Sequence, residues 1–146
     1  MPVNAKPQKP LPSCLEDFVG LWQLSRTIVQ RSGDTFLFAG KASFSWRDEA
    51  LLYHESGQVS GPHGKVLQAE RSYIWQQSST NQFDVLFDDI RYFHSFSAAQ
   101  PNGEHLCGDD HYKVSYGFET WPQWSSTWQV KGPRKDYEMH SCYQRT

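Results

Sequence analysis

The residues with the most chemical potential are polar groups set at two-residue spacing among aromatic ones. Arg71 precedes Tyr73 and Trp75, His94 lies between Tyr92 and Phe96, and Asp110 precedes Tyr112, Tyr116 and Phe118. In a strand, side chains two apart share a face, so each polar group points wherever its rings point. Arginine and tyrosine against aromatic walls would hold a carboxylate or enolate. A His94–Asp110 dyad, with the carboxylate fixing the imidazole tautomer and Tyr112 or Tyr73 donating to a developing oxyanion, would support acid–base chemistry without a cofactor. His105, Cys107, Asp109 and His111 also alternate. Ligands two apart on one strand rarely close a tetrahedron, however, and polar alternation on a solvent face accounts for them, so no metal is expected. The sequence has no Gly-x-Ser-x-Gly, phosphate-binding loop or dinucleotide fingerprint. A haem would need an axial histidine such as His94 or His140, and neither sits in a diagnostic motif. No cofactor is expected.

Holding such groups in place requires strands. The segment Thr35 to Trp46 alternates strictly, with Phe36, Phe38, Gly40, Ala42, Phe44 and Trp46 on one face, which a helix does not do. Further strands are expected at Phe18 to Arg31, Leu51 to Val59, Lys65 to Gln77, Gln82 to Phe87, Arg91 to Ser97, His105 to Phe118, Ser125 to Lys131 and Asp136 to Arg145. Turn chemistry separates them, for example Ser32-Gly33-Asp34, Pro101-Asn102-Gly103 and Gly132-Pro133. Nine strands without a helical crossover make an all-β antiparallel meander, and closing it into a barrel of eight to ten strands removes its exposed edges.

The 146 residues suit one domain, and aromatic residues make up 15% of them. A net charge of -2 without a basic cluster argues against nucleic acid. Cys14, Cys107 and Cys142 are odd in number and unrelated in spacing, which suits a reducing, cytoplasmic setting. Residues 1–12 carry four prolines and no apolar run, and are expected to form a disordered lead-in, neither signal peptide nor membrane span, ahead of a domain over 13–146.

Gly20-x-Trp22 at the first strand, answered by Arg145 at the last, resembles the signature of the lipocalin and wider calycin superfamily. That resemblance implies an arginine packed over the tryptophan at the closed end of a barrel. The runs His105-x-Cys107-Gly108-x-Asp110-x-Tyr112 and Gly132-Pro133-Arg134-Lys135-Asp136-Tyr137 resemble a family of unknown function of about this length, which brings no activity with it. Without a signal peptide or a disulfide pair, the chain is nearer to intracellular relatives such as fatty-acid-binding proteins and nitrobindins.

If Trp22 and Arg145 pair across the seam, counting fixes the rest: Leu24 meets Tyr143, Arg26 meets Ser141, Ile28 meets Met139 and Gln30 meets Tyr137. Arg26 then lies inside. Letting apolar residues choose the inner face elsewhere brings in Arg71 with Leu67, Ala69, Tyr73 and Trp75. It brings in His94 with Tyr92 and Phe96, and Asp110 with Leu106, Tyr112, Val114, Tyr116 and Phe118. Two buried guanidinium groups must be paired, hydrated or awaiting an anion, and Asp110 is the one acid expected inside to pair with them.

Three readings follow. The first is a barrel that binds an amphipathic or aromatic anion through Arg26, Arg71, Tyr73, Trp75, Tyr92, Tyr116 and Tyr137, with Arg134 at the rim. The second is a cofactor-free isomerase, cyclase or lyase using His94, Asp110 and Tyr112. The third is a filled barrel that serves as an interaction module. Trp121-Pro122-x-Trp124 is either a packed corner or an aromatic lid. The expected partner is a small molecule, with no nucleic acid and no membrane span.

Overall fold

The computed structural model describes residues 10–146. Most of the expected lead-in, residues 1–9, falls outside that range. Pro12 is fully buried, so the packed body begins before Ser13. One tight helical turn, Leu15–Phe18, then inserts Leu15 and Phe18 into the core. It is tied to the barrel by Gln77, whose Oε1 accepts from Leu15 N (3.2 Å) and whose Nε2 donates to Ser13 O (2.9 Å).

Ten strands follow, joined consecutively: β1 (Gly20–Gln30), β2 (Thr35–Arg47), β3 (Ala50–Ser60), β4 (Val66–Ser79), β5 (Gln82–Phe87), β6 (Tyr92–Ser97), β7 (Asn102–Cys107), β8 (Asp110–Gly117), β9 (Trp124–Lys131) and β10 (Asp136–Arg145). They form one antiparallel sheet in the order β6-β5-β4-β3-β2-β1-β10-β9-β8-β7. The meander curls until β6 and β7 face each other. These two strands share no ladder, yet β7 comes close enough that a Cβ on Gly103 would stand 2.8 Å from Ser95 O. The barrel is thus nearly closed.

The seam between first and last strands has the register expected from counting, from Trp22↔Arg145 through Arg26↔Ser141 to Gln30↔Tyr137. At the closed end the Arg145 guanidinium lies 4.0 Å from the Trp22 ring centroid and donates to Val19 O and Asp17 O, each at 2.6 Å. Gly20 is needed there twice over. Its φ of +125° disfavours any side chain, and a Cβ would meet Arg145 Nη1 at 2.8 Å.

The long strand expected from His105 to Phe118 is two strands. Gly108, at φ +62°, turns the chain between β7 and β8, so Leu106 pairs with His111 and His105 with Tyr112. Crossing that turn exchanges the faces: Leu106 points out at 70% exposure, and His105 packs against Phe87, Phe93 and Tyr112. The metal quartet is split accordingly, with His111 Nε2 on the outside 3.2 Å from Glu104 Oε2. Among the described residues no three His, Cys, Asp or Glu side chains gather. On β6 a register shift opposite Val85/Leu86 turns Tyr92 outward, 54% exposed, while Phe93, His94 and Phe96 are buried. Leu67 and Trp46 share the inner parity of their strands but lie at strand ends, beyond the reach of the core, and are exposed.

The closed half is filled with rings. Phe18 contacts Phe44, Trp75, Phe83, Phe118, Trp121 and Trp124 at centroid distances of 5.1–6.2 Å. Trp121 and Trp124 are both buried, so Trp121-Pro122-x-Trp124 is a packed corner and not a lid.

Candidate functional site

A pocket runs from the open end into the barrel, and Arg26, Arg71, Tyr73, Trp75, His94 and Tyr116 all line it. Its total free volume is about 430 Å³ including the part open to solvent, but the interior accessible to water is only about 30 Å³. That is room for one or two waters. The aromatic walls, including Trp75, Phe93, Trp124 and Trp128, close around this space.

It encloses an ion pair that the sequence reading missed. Arg26 Nη1 donates to Glu55 Oε2 at 2.5 Å and Nη2 to Glu55 Oε1 at 2.9 Å, while Nε donates to Ser141 Oγ at 2.7 Å. Tyr53 Oη donates to Glu55 Oε1 at 2.7 Å and sits 2.8 Å from Tyr143 Oη. Burial alone would raise the Glu55 carboxyl; the hydrogen bonds and charge of Arg26, helped by Tyr53, outweigh it and leave the group below its usual range. Burial likewise works against the Arg26 cation, and its bond to Glu55 more than restores it. Burial pushes Tyr143 up to about 12. The site therefore holds one neutralised pair and two protonated phenols. The signal for Glu55 was present: Leu51, Tyr53 and Glu55 alternate, and the two apolar members are core residues.

Arg71 differs. It lies at the mouth, exposed on one side, and no carboxylate is within salt-bridge distance among the described residues. Burial opposes its charge, but neighbouring Tyr73 and Tyr137, with a smaller contribution from the Glu55 charge, favour it and shift the balance upward. Arg71 therefore stays a cation, with rings on one side and water on the other.

His94 does not meet Asp110. Its Nε2 is 2.8 Å from Tyr116 Oη, and its Nδ1 has no partner. Burial, with a smaller contribution from His105, lowers its pKa to about 3, so the ring is neutral. Asp110 instead sits at the rim with Lys135, Nζ to Oδ2 3.3 Å, and the same ammonium donates to Tyr112 Oη at 2.9 Å. The dyad expected from parity is absent because the β7–β8 turn carries Asp110 to the open end, whereas His94 is buried deeper in the wall. Tyr137 is half-buried and Arg134 is exposed in the β9–β10 turn. Tyr92, outside the barrel, bonds Ser95 Oγ at 2.7 Å. Trp124 Nε1 is a second buried group without a partner, and it belongs to the same pocket wall as His94.

The architecture is thus a meander barrel with a ring-filled closed end, an internal ion pair and an arginine, Arg71, at its mouth. Residues 18–145 match a family of unknown function, DUF6314, and the chain belongs to that family. No curated protein matches the sequence. Among solved structures, the chain resembles the S-type phycobiliprotein lyase CPES from Guillardia theta, with 11% identity over 90% of this chain and 89% of that one and a TM-score of 0.64. A de novo designed fluorescence-activating β-barrel is 10% identical over 90% of this chain and 95% of that one, with a TM-score of 0.48. Likeness at these identities concerns the fold. Among the described residues no helix is long and apolar enough to cross a membrane.

Proposed function

We propose that this barrel binds a small amphipathic or aromatic anion at its open end, inside the cell, with Arg71 holding the acidic group and Tyr73, Tyr112 and Trp128 receiving the apolar body. The observation that carries this reading is the contrast between the two arginines. Arg26 holds Glu55 in a direct ion pair, whereas Arg71 lines the same pocket with no carboxylate in salt-bridge contact among the described residues and feels Glu55 only through space. A guanidinium beside a phenol favours a carboxylate or a comparable planar anion. The unpartnered Trp124 Nε1 and His94 Nδ1 supply polar contacts deeper in the wall for a carbonyl of the ligand or for water. Because the enclosed space is small, the bound molecule lies across the mouth, and deeper insertion requires the ring walls to part.

A second reading, cofactor-free acid–base catalysis, rests on His94 with Tyr116 as its partner. The Guillardia theta protein is a lyase, so the fold does not choose between carriage and turnover. The depressed basicity of His94 makes it a poor proton acceptor near neutral pH, which favours binding over catalysis.

The test is calorimetric titration of the protein with oleate and with an aromatic carboxylate, repeated on Arg71→Ala. Binding weakened at least about tenfold, or roughly 1.4 kcal/mol, in a folded variant supports the reading. Equal affinity for both proteins overturns it. If His94→Gln retains binding but abolishes conversion of a substrate found in such a screen, the second reading replaces the first.

A further inference from the structure

On the opposite side of the barrel wall from the pocket, β10 presents His140 and Cys142 to solvent, two residues apart on the outer face. Cys142 Sγ lies 3.5 Å from His140 Nε2, and His140 Nδ1 lies 3.0 Å from Thr127 Oγ1 on β9, its cross-strand neighbour. Thiol, imidazole and hydroxyl therefore form one hydrogen-bonded line. When Nδ1–H donates to Thr127, the Nε2 lone pair faces the thiol. This is the order of groups that activates a sulfur nucleophile: a base beside it and a third residue fixing the base's tautomer.

The line opens onto a groove of about 660 Å³ between β1, β2, β9, β10 and the loop after β8. Its polar lining is mostly neutral amides and hydroxyls, from Gln23, Ser25, Gln123, Ser125 and Gln144, with Glu119 as the carboxylate among the described lining residues. Such walls suit a small polar molecule that is not an anion. Cys107 is also exposed but has no such hydrogen bond among the described residues. One chain thus carries both an imidazole-paired thiol and an unpaired reference.

We propose that Cys142 is a reactive thiol that exchanges with small polar disulfides held in this groove. The Cys142 proton passes to His140 Nε2, and the thiolate attacks one sulfur of the disulfide. The S–S bond of that molecule breaks as a new one forms to Cys142. The departing thiolate takes the proton from His140, leaving a mixed disulfide and one free small thiol. The sulfur of Cys142 is oxidised and one sulfur of the reagent is reduced, so no other oxidant enters.

The experiment exposes the folded protein to bis(hydroxyethyl) disulfide at neutral pH and follows each cysteine by peptide mass spectrometry. Cys142 reacts at least about tenfold faster than Cys107. His140→Asn brings the ratio close to one, Thr127→Val lowers it and Thr127→Ser restores it. All three residues lie on the outer surface, and unchanged tryptophan emission verifies that each variant is folded. Equal rates in the unaltered protein overturn the proposal, as does a ratio that survives His140→Asn.

Discussion

A carboxylate and a guanidinium buried side by side are stable only together. Removing Glu55 leaves the Arg26 charge inside the barrel with Ser141 as its remaining hydrogen-bond partner. Glu55→Ala is therefore expected to cost about 3–5 kcal/mol in urea unfolding, whereas replacing both members with apolar residues of similar volume recovers much of the loss. Acid acts on the same pair. The folded-state pKa of Glu55 is below its unfolded value, so its contribution is complete above the unfolded pKa and disappears as pH falls through the folded one. His94 adds to acid lability for the opposite chemical reason. It is neutral when folded, with a pKa lowered to about 3 from an ordinary 6.5, so below 6.5 the unfolded chain takes up a proton that the folded chain refuses. Stability should fall between about pH 6.5 and 3, by up to about 1.4 kcal/mol per unit from this residue. His94→Gln should flatten that slope in denaturation curves taken across the window; an unchanged slope would mean that the ring titrates normally. Alternation with Phe96 made the burial of His94 legible in the sequence. Its partner, Tyr116, was not, because hydrogen bonds across a barrel depend on how strands from distant segments converge.

At the scale of strands, pairing by counting succeeded where the chain was regular and failed where one residue broke the period. The β1–β10 register, and with it the inward Arg26, followed from a single anchor, Trp22 with Arg145. On β7, β8 and β6 a turn at Gly108 and a register shift near Leu86 changed parity midway. Leu106 and Tyr92 were therefore misplaced, and Asp110 was assigned to a partner it does not reach. Parity carries no information across a tight turn made inside an apparently continuous run. Gly40 and Gly57 are a further element-scale device. They face each other across β2 and β3, so closely that a Cβ on either would meet the opposite backbone. Gly57→Ala should therefore force the two strands apart and cost about 1–3 kcal/mol, measurable as a lowered thermal midpoint. A neutral or stabilising result would show that the strands have slack at this crossing.

For the whole molecule, the division of labour runs along the barrel axis. The closed end is occupied by the Leu15–Phe18 turn, the Trp22–Arg145 stack and the packed tryptophan corner. The open end carries Arg71 on a ring-walled pocket, with the Lys135–Asp110 pair and the exposed Arg134 at the rim. Composition and alternation were enough to indicate an aromatic barrel with polar groups inside. They did not show how little free space the rings leave, because packing density depends on the joint placement of side chains from every strand. On the proposed reading, a barrel whose interior admits only a water or two holds its ligand at the mouth, beside Arg71. Native mass spectrometry of the protein purified from its own organism, alongside Arg71→Ala prepared in the same way, tests this most directly. The unaltered protein should retain an anionic small molecule that is released on denaturation, with occupancy at least about tenfold lower in the variant. Retention of the same molecule at equal occupancy without Arg71, or a native mass equal to that of the bare chain, would contradict it.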